Sequence, residues 1–484
     1  MAFFDQPTWD GTTYLGGWAT TGATADVVSP STGETIAHYA VASPQDVARA
    51  ASVAARAQVA WAATPPPERA AVLRRAAQLI DASTDVLSGW LQSEAGSSAG
   101  KAAFEAGLVS AEFWLAADTA MAPYGQLLRT GRPRLSLARR LPVGVVGVIS
   151  PFNFPGILSA RSIAPALALG NAVVHKPDPR TTITGGLFFA AVLEEAGLPA
   201  GLFSVVTGGA AVGSALVDAQ EVRVVSFTGS TPAGREIGAR AGRLLKRAHL
   251  ELGGNNALLV LPDADVAAAA SAGAWGSFLH QGQICMTTGR HLVPADLYDE
   301  YVALLAGKAA ALHAGDPASG APLGPVIDAK QLQHVDAVVR GSVAAGAVIE
   351  AGGTHDRLFY APTVLSGVTP DQPAFSDEIF GPVAPVVRYE SVDEAVDLAN
   401  RSEYGLSVGI LSANPYRALE LGDRIRTGIL HINDQTVDDE AQAPFGGVGA
   451  SGTGSRFGGH EANIEAFTET QWVTVQADIA TYPF

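Results

Sequence analysis

One cysteine, Cys285, stands in a chain of 484 residues. A single sulfur cannot close an intramolecular disulfide. Among 10 scattered histidines it finds no partner at zinc-ligand spacing, so a disulfide scaffold and a Cys-His metal knuckle fall away, and no metal is expected. Basic charge is scarce too. The 31 Lys and Arg against 47 Asp and Glu leave a formal charge of −16, which repels nucleic acid and anionic membranes. No segment reaches the ~18 consecutive apolar residues of a membrane span. The start, Met1-Ala2-Phe3-Phe4-Asp5, has no basic segment followed by a long apolar run and does not read as a secretory signal. Fixed-period repeats and low-complexity tracts are missing as well. The expected partner is a small molecule, and the expected compartment is the cytoplasm.

With 48% hydrophobic residues the chain can build large cores, and its length suggests two or three domains. From Pro44 to about Ala122 the spacing predicts helices: Val47, Ala50, Ala51, Ala54 and Ala55 recur three and four apart, and Pro67-Glu68-Arg69 reads as a helix start. The basic, alternating run from Thr130 to Arg140 reads as an exposed ribbon or edge strand. From Val143 onward, short apolar runs (Val145 to Ser150, Ala172 to His175, Phe203 to Val206, Val222 to Phe227) alternate with helical stretches. That alternation is the signature of a parallel sheet covered by helices. A second set follows Cys285, with strands expected at Val383–Val387, Ser407–Leu411 and Gly428–Ile432. The fold class is therefore α/β with two parallel-sheet units. The late run Thr470 to Val475 reads as a strand that pairs with the ribbon near 130–140, within the subunit or across to a neighbour.

In open parallel sheets ligands sit beyond the carboxyl ends of the strands. The residues collected there are Pro151-Phe152-Asn153-Phe154-Pro155, Lys176-Pro177-Asp178-Pro179-Arg180 and Thr228-Gly229-Ser230-Thr231-Pro232-Ala233-Gly234. The glycine segment matches neither a Walker loop nor G-x-G-x-x-G, although amides at a helix start there can hold a phosphate. Glu251, among leucines and before Gly253-Gly254, is placed for a raised pKa and general-base work; a structural carboxylate bonded to backbone amides is the alternative. Cys285 is either a small buried hydrophobe or a nucleophile beside the tight turn that Gly282 permits.

The order and spacing of seven segments decide between these readings. Pro151-Phe152-Asn153-Phe154-Pro155, Lys176-Pro177, Phe227-Thr228-Gly229-Ser230-Thr231, Glu251-Leu252-Gly253-Gly254, Gly282-Gln283-Ile284-Cys285, Glu378-Ile379-Phe380-Gly381-Pro382 and Pro444-Phe445-Gly446-Gly447 resemble the NAD(P)-dependent aldehyde dehydrogenases from about residue 20 to residue 475. The resemblance implies a cofactor-binding domain (1–123 and 143–252), a catalytic domain (253–445) and a small β oligomerisation arm (124–142 and 468–484) in a homodimer or homotetramer. It implies Cys285 as the thiolate that attacks the aldehyde, Glu251 as general base, and Asn153 with the Cys285 amide as oxyanion hole; the path runs through a thiohemiacetal and a thioester. Cofactor contacts are implied for Ser150, Pro151, Phe152, Lys176, Asp178, Pro179, Gly209, Gly213, Phe227, Gly229, Ser230, Leu252, Glu378 and Phe380.

Two departures bear on specificity. Many strictly NAD-dependent members carry a glutamate three residues after the lysine, where this chain has Pro179. The missing repulsive charge, and Arg180 if it points inward, favour tolerance of NADP beside NAD; Asp178 argues the other way. Phe152 stands where the family commonly has tryptophan. Segments around Phe154–Arg161, Lys176–Thr181, Gln283–Thr287 and Asn433–Thr436 resemble benzaldehyde and vanillin dehydrogenases in particular. Phe154, Ile157, Ile284 and Phe445 then form a flat apolar slot for an aromatic aldehyde. Arg161 in the entrance is the cation that a semialdehyde substrate would need. An aliphatic or semialdehyde substrate and a non-catalytic family member are the alternatives.

Overall fold

Apolar runs bounded by glycine and proline become the inner strands of two seven-stranded sheets. The computed structural model describes residue 4 and residues 9–484; of the start read above for a leader, all but Phe4 lies outside the described residues. The chain opens with β1 (Thr13–Leu15), β2 (Trp18–Ala19) and the antiparallel pair β3 (Thr24–Val28) and β4 (Thr35–Ala40). Four helices follow: α1 (Pro44–Ala63), α2 (Pro66–Asp81), α3 (Thr84–Ala95) and α4 (Ala99–Thr119). Val47, Ala50, Ala51 and Ala54 are buried along α1, whose start carries a capping box between Ser43 and Asp46.

β5 (Gly125–Leu127) and β6 (Leu135–Pro142) lead into the first sheet. It is built from β7 (Val145–Ile149), α5 (Pro155–Ala168), β8 (Ala172–Lys176), α6 (Phe188–Glu195), β9 (Phe203–Val205), α7 (Ala210–Asp218), β10 (Val222–Thr228), α8 (Thr231–Arg243) and β11 (Arg247–Glu251). The order is β11-β10-β7-β8-β9-β1-β2. The five strands from β11 to β9 are parallel, and β1 continues the sheet antiparallel to β9, with β2 antiparallel to it at the edge.

The second sheet starts with β12 (Asn256–Val260), α9 (Val266–Phe278) and β13 (Thr288–Pro294), then runs through α10 (Tyr298–Ala311), α11 (Ala329–Ala344), β14 (Val348–Ala351), the small pair β15 (His355–Asp356) and β16 (Phe359–Tyr360), β17 (Thr363–Ser366), β18 (Val383–Tyr389), α12 (Val392–Asn400), β19 (Ser407–Leu411), α13 (Pro415–Gly422) and β20 (Ile429–Ile432). Its order is β14-β17-β18-β13-β12-β19-β20, parallel except for β14.

After α14 (Gly459–Phe467), the last strand β21 (Thr468–Val475) pairs antiparallel with β6 inside the same subunit, Trp472 opposite Ala138. The order β21-β6-β5 corrects one expectation: the ribbon near 130–140 is not an edge strand, because β6 has a partner on each side. The alternation read there comes from the pleat of a central strand in a small, two-faced sheet.

Candidate active site

The two large sheets present opposite ends to one cleft. The first offers the loops after its strands: Ser150–Phe154 after β7, Lys176–Arg180 after β8, Gly229–Ser230 after β10 and Leu252 after β11. The second offers residues just before its strands: Asn256 at the start of β12, Cys285 before β13, and Glu378–Phe380 before β18. A rule that looks only after strands finds the first group and misses the second.

Cys285 is free, partly exposed, and lines a cavity of about 550 Å³. Its backbone is held hard. His280, Gln281 and Gly282 run consecutively at φ of 50°, 54° and 67°, a left-handed stretch that two non-glycine residues enter only under constraint. A Cβ on Gly282 would come 2.0 Å from the Gly381 carbonyl oxygen, so this turn requires glycine. Asn256 Nδ2 then donates to the Cys285 and Thr287 carbonyls, each at 2.8 Å. Burial pushes the Cys285 thiol up to about 12, with the charges of Glu378, Glu251 and Asp439 adding to the rise and Arg161 opposing it. The resting thiol is therefore protonated at neutral pH, and any nucleophilic step needs a proton acceptor.

Glu251 is buried at the end of β11. Burial raises its pKa well above the usual carboxylate range, with Arg456, the Gly447 N–H and Arg161 opposing. Its Oε2 accepts from the Gly447 N–H at 3.3 Å, while Oε1 is buried with no hydrogen-bond partner among the described residues. A buried oxygen left unpaired is costly unless something uses it. Asn153 donates one amide hydrogen to the Gln283 carbonyl at 2.9 Å, two residues before the sulfur, and also lines the cavity.

The cavity wall brings together Phe154, Ile157, Ile284 and Phe445 as the sequence groups them. Met286, which flanks the sulfur in the sequence, lies on it too, and the wall adds residues that were not singled out: Phe104 and Leu108 from α4, Trp275 from α9, and Leu279 and Val437. Trp275, a large side chain among the alanines and glycines of α9, is the one signal that could have pointed to it. Arg161 is not on that wall. Its guanidinium lies over the Phe445 ring, 4.6 Å from the centroid, and is buried between Glu112 and Asp439. Two carboxylates take up its charge, so it is no free cation for an acidic substrate.

The other face of the cleft carries the residues that the resemblance assigns to a dinucleotide. The start of α8 has no side-chain cap at Ser230, and that of α7 has none at Gly209, which leaves helix-start amides for a phosphate. Gly229 lies so close to Phe227 that a Cβ would come 2.6 Å from the ring, and Gly253 so close to Glu378 that one would come 2.2 Å from its carboxylate. Leu252 packs against Gly234 in α8, and Gly213 in α7 lies beside the Lys176 chain. Lys176 is buried, and burial pulls its pKa down, while Asp178 opposes and Arg180 assists. Glu378 Oε1 accepts from the Gly254 N–H at 2.9 Å, and burial raises its pKa to about 7. The rings of Phe152 and Phe380 meet edge to face at 5.9 Å. Pro151 and Pro179 are half-buried in their loops. Ser150 turns its hydroxyl inward, to His175 Nε2 at 2.9 Å and Ser159 Oγ at 2.8 Å. Arg180 does not offer a free cation to an extra phosphate: it is paired with Asp178 and Asp328 and lies over the Phe152 ring at 4.3 Å.

Residues 18–473 match the model of the aldehyde dehydrogenase family. The chain is 59% identical to a vanillin dehydrogenase of Amycolatopsis sp. (strain ATCC 39116 / 75iv2), covering 100% of both chains. It is 46% identical to a benzaldehyde dehydrogenase [NAD(+)] of Pseudomonas putida, covering 99% of both. Among solved structures, a salicylaldehyde dehydrogenase from Pseudomonas putida G7, complexed with salicylaldehyde, superposes with a TM-score of 0.94 at 35% identity, covering 98% of this chain and 99% of that one.

Proposed function

The chain belongs to the aldehyde dehydrogenase family, and on that premise we propose that it oxidises an uncharged aromatic aldehyde, benzaldehyde- or vanillin-like, to the carboxylic acid with NAD(P)+. The observation that carries this reading is the position of Cys285 on an enclosed wall of Phe154, Ile157, Ile284, Met286 and Phe445. A flat ring buried there gains roughly 25 cal/mol per Å² of apolar surface removed from water.

The steps follow from the side chains. Cys285 Sγ adds to the aldehyde carbon as its proton passes to a base, and the carbonyl oxygen becomes an oxyanion received by Asn153 Nδ2 and the Cys285 N–H. Lys176, Gly229, Ser230, Glu378 and Phe380 would hold a nicotinamide dinucleotide, which would accept the hydride whose loss leaves the Cys285 adduct a thioester. Glu251 takes a proton from water, the water oxygen attacks the thioester carbon, and the Cys285 sulfur leaves as the acid departs.

The test is a panel of aldehydes. Benzaldehyde and vanillin are expected to give kcat/KM at least about tenfold above hexanal and succinic semialdehyde; higher values for either of the last two would overturn the aromatic assignment. NAD is expected to be preferred over NADP by about tenfold in kcat/KM, since Arg180 is occupied. The absence of a carboxylate at Pro179 leaves NADP measurable, and no turnover at saturating NADP would end that part of the reading.

The small sheet of β5, β6 and β21 exposes Leu127, Leu135, Trp472 and Val475, and supports assembly into a homodimer or homotetramer through that arm. A nucleophilic thiol that must stay reduced suits the cytoplasm.

A further inference from the structure

The helix that follows the oxyanion loop lacks a cap of its own. The N-cap position of α5 is Phe154, which has no side-chain oxygen, and Pro155 after it has no N–H to satisfy. The next two amides, Gly156 and Ile157, donate instead to Glu105 Oε1, at 2.7 and 3.3 Å, from a helix 51 residues earlier in the chain. Glu105 is wholly buried, and its other oxygen is ion-paired with Lys101, one turn before it on α4 and also buried. Lys101 Nζ has a second bond, donating to the Asn153 carbonyl at 2.8 Å, and lies 4.0 Å from the centroid of the Phe154 ring.

Two buried charges one turn apart on a single helix thus grip both sides of Phe154: Lys101 holds the carbonyl before it and Glu105 the amides after it. The same peptide segment carries the Asn153 amide, whose other anchor is the Gln283 carbonyl. Burying such a pair is costly, and a helix of this kind is capped more simply by a serine or aspartate at its own start. A local cap would leave the Asn153 carbonyl unheld.

We propose that Lys101 and Glu105 are positioning residues that set the Asn153 amide at the distance and angle an oxyanion requires. The proposal rests on the reading of Asn153 as oxyanion donor given above. Displacing a catalytic group by about 1 Å costs on the order of a hundredfold in rate. The clamp also holds Phe154 and the Ile157 amide beside the cavity, which Lys101 itself lines, so the dependence of the loss on Asn153 is what separates positioning of the oxyanion donor from a change in the cavity wall.

The test is a double-mutant cycle in the full-length enzyme, read as kcat/KM for benzaldehyde and as the single-turnover rate of NADH formation. Lys101→Met with Glu105→Gln removes both charges together and leaves the amide oxygen of an equally long side chain to accept from the Gly156 N–H; Lys101→Gln alone is the second variant. Each is made with Asn153 and with Asn153→Ala. With Asn153 present, the expected loss is roughly tenfold to a hundredfold, with the dissociation constant for NADH changed less than about threefold. In the Asn153→Ala background the same changes are expected to cost less than about threefold. Equal losses in both backgrounds, or no loss with Asn153 present, overturn the clamp. If Asn153→Ala is itself without effect, the oxyanion reading fails instead, so the two failures are told apart.

Discussion

Cys285→Ala is expected to abolish aldehyde oxidation, with NADH formation falling by about 10⁴-fold or more while the protein stays folded. The loss is chemical. No other cysteine exists in the chain to take over, and alanine offers no atom able to form the covalent adduct. The fold should tolerate the change, because the turn around residue 285 is held by the backbone of Gly282 and by Asn256 rather than by the sulfur. A thermal midpoint close to that of the parent, with NADH still bound, separates loss of chemistry from loss of structure. A second readout follows from the raised thiol pKa. With burial and the neighbouring carboxylates holding the thiol near 12, alkylation by iodoacetamide in the free enzyme should be slow at pH 7 and accelerate as pH rises. Appreciable turnover by the alanine variant, measured on benzaldehyde, sinks the assignment of the nucleophile.

Glu251→Gln is expected to lower kcat by about 10²- to 10⁴-fold and to change the shape of the pH profile. The sign follows from the direction of the shift. Burial raises the Glu251 pKa, so at low pH the side chain carries a proton and cannot take another. Base-competent carboxylate grows as pH rises, and kcat in the parent enzyme should climb with pH over a range lying above that of an ordinary carboxylate. Glutamine keeps the size and can still accept from the Gly447 N–H, but does not titrate, so the limb due to Glu251 should vanish. Intact-protein mass measurement in the presence of aldehyde and NAD distinguishes its two duties. Accumulated acyl-enzyme marks a base for the hydrolytic water, and its absence marks a base for the thiol as well. An unchanged kcat and an unchanged pH profile overturn the role.

Much of the molecule is legible in its order of residues. Runs such as Val145–Ile149 and Val222–Thr228 announce buried parallel strands because a sheet covered on both faces leaves no polar side to alternate with. Segments tied to backbone geometry are legible as well: Gly282 and Gly229 stand where a Cβ has no room. Less legible are β12 and β13, which flank Cys285, since short apolar runs beside an Ala-rich helix carry no period that separates strand from helix. Arg161 and Arg180 mislead for one reason. A charge reads as available in a sequence, whereas its partners Glu112, Asp439, Asp178 and Asp328 include residues as far as 278 positions away.

Residue order alone established the α/β class, the family through seven ordered segments, and the chemical types at the reacting centre: a thiol, a buried carboxylate and an amide. These follow from local chemistry, which survives being read one residue at a time. Which groups meet was settled by the tertiary structure. It set the second sheet's strand starts against the first sheet's strand ends, raised the Glu251 pKa by burying its carboxylate and the Cys285 pKa by packing protein and carboxylates around a sulfur that still faces the cavity, cancelled the charges of Arg161 and Arg180, and brought Lys101 and Glu105 from a distant helix onto the oxyanion loop. Burial and electrostatic pairing depend on distances across the fold, and those distances exist only once the chain has closed on itself.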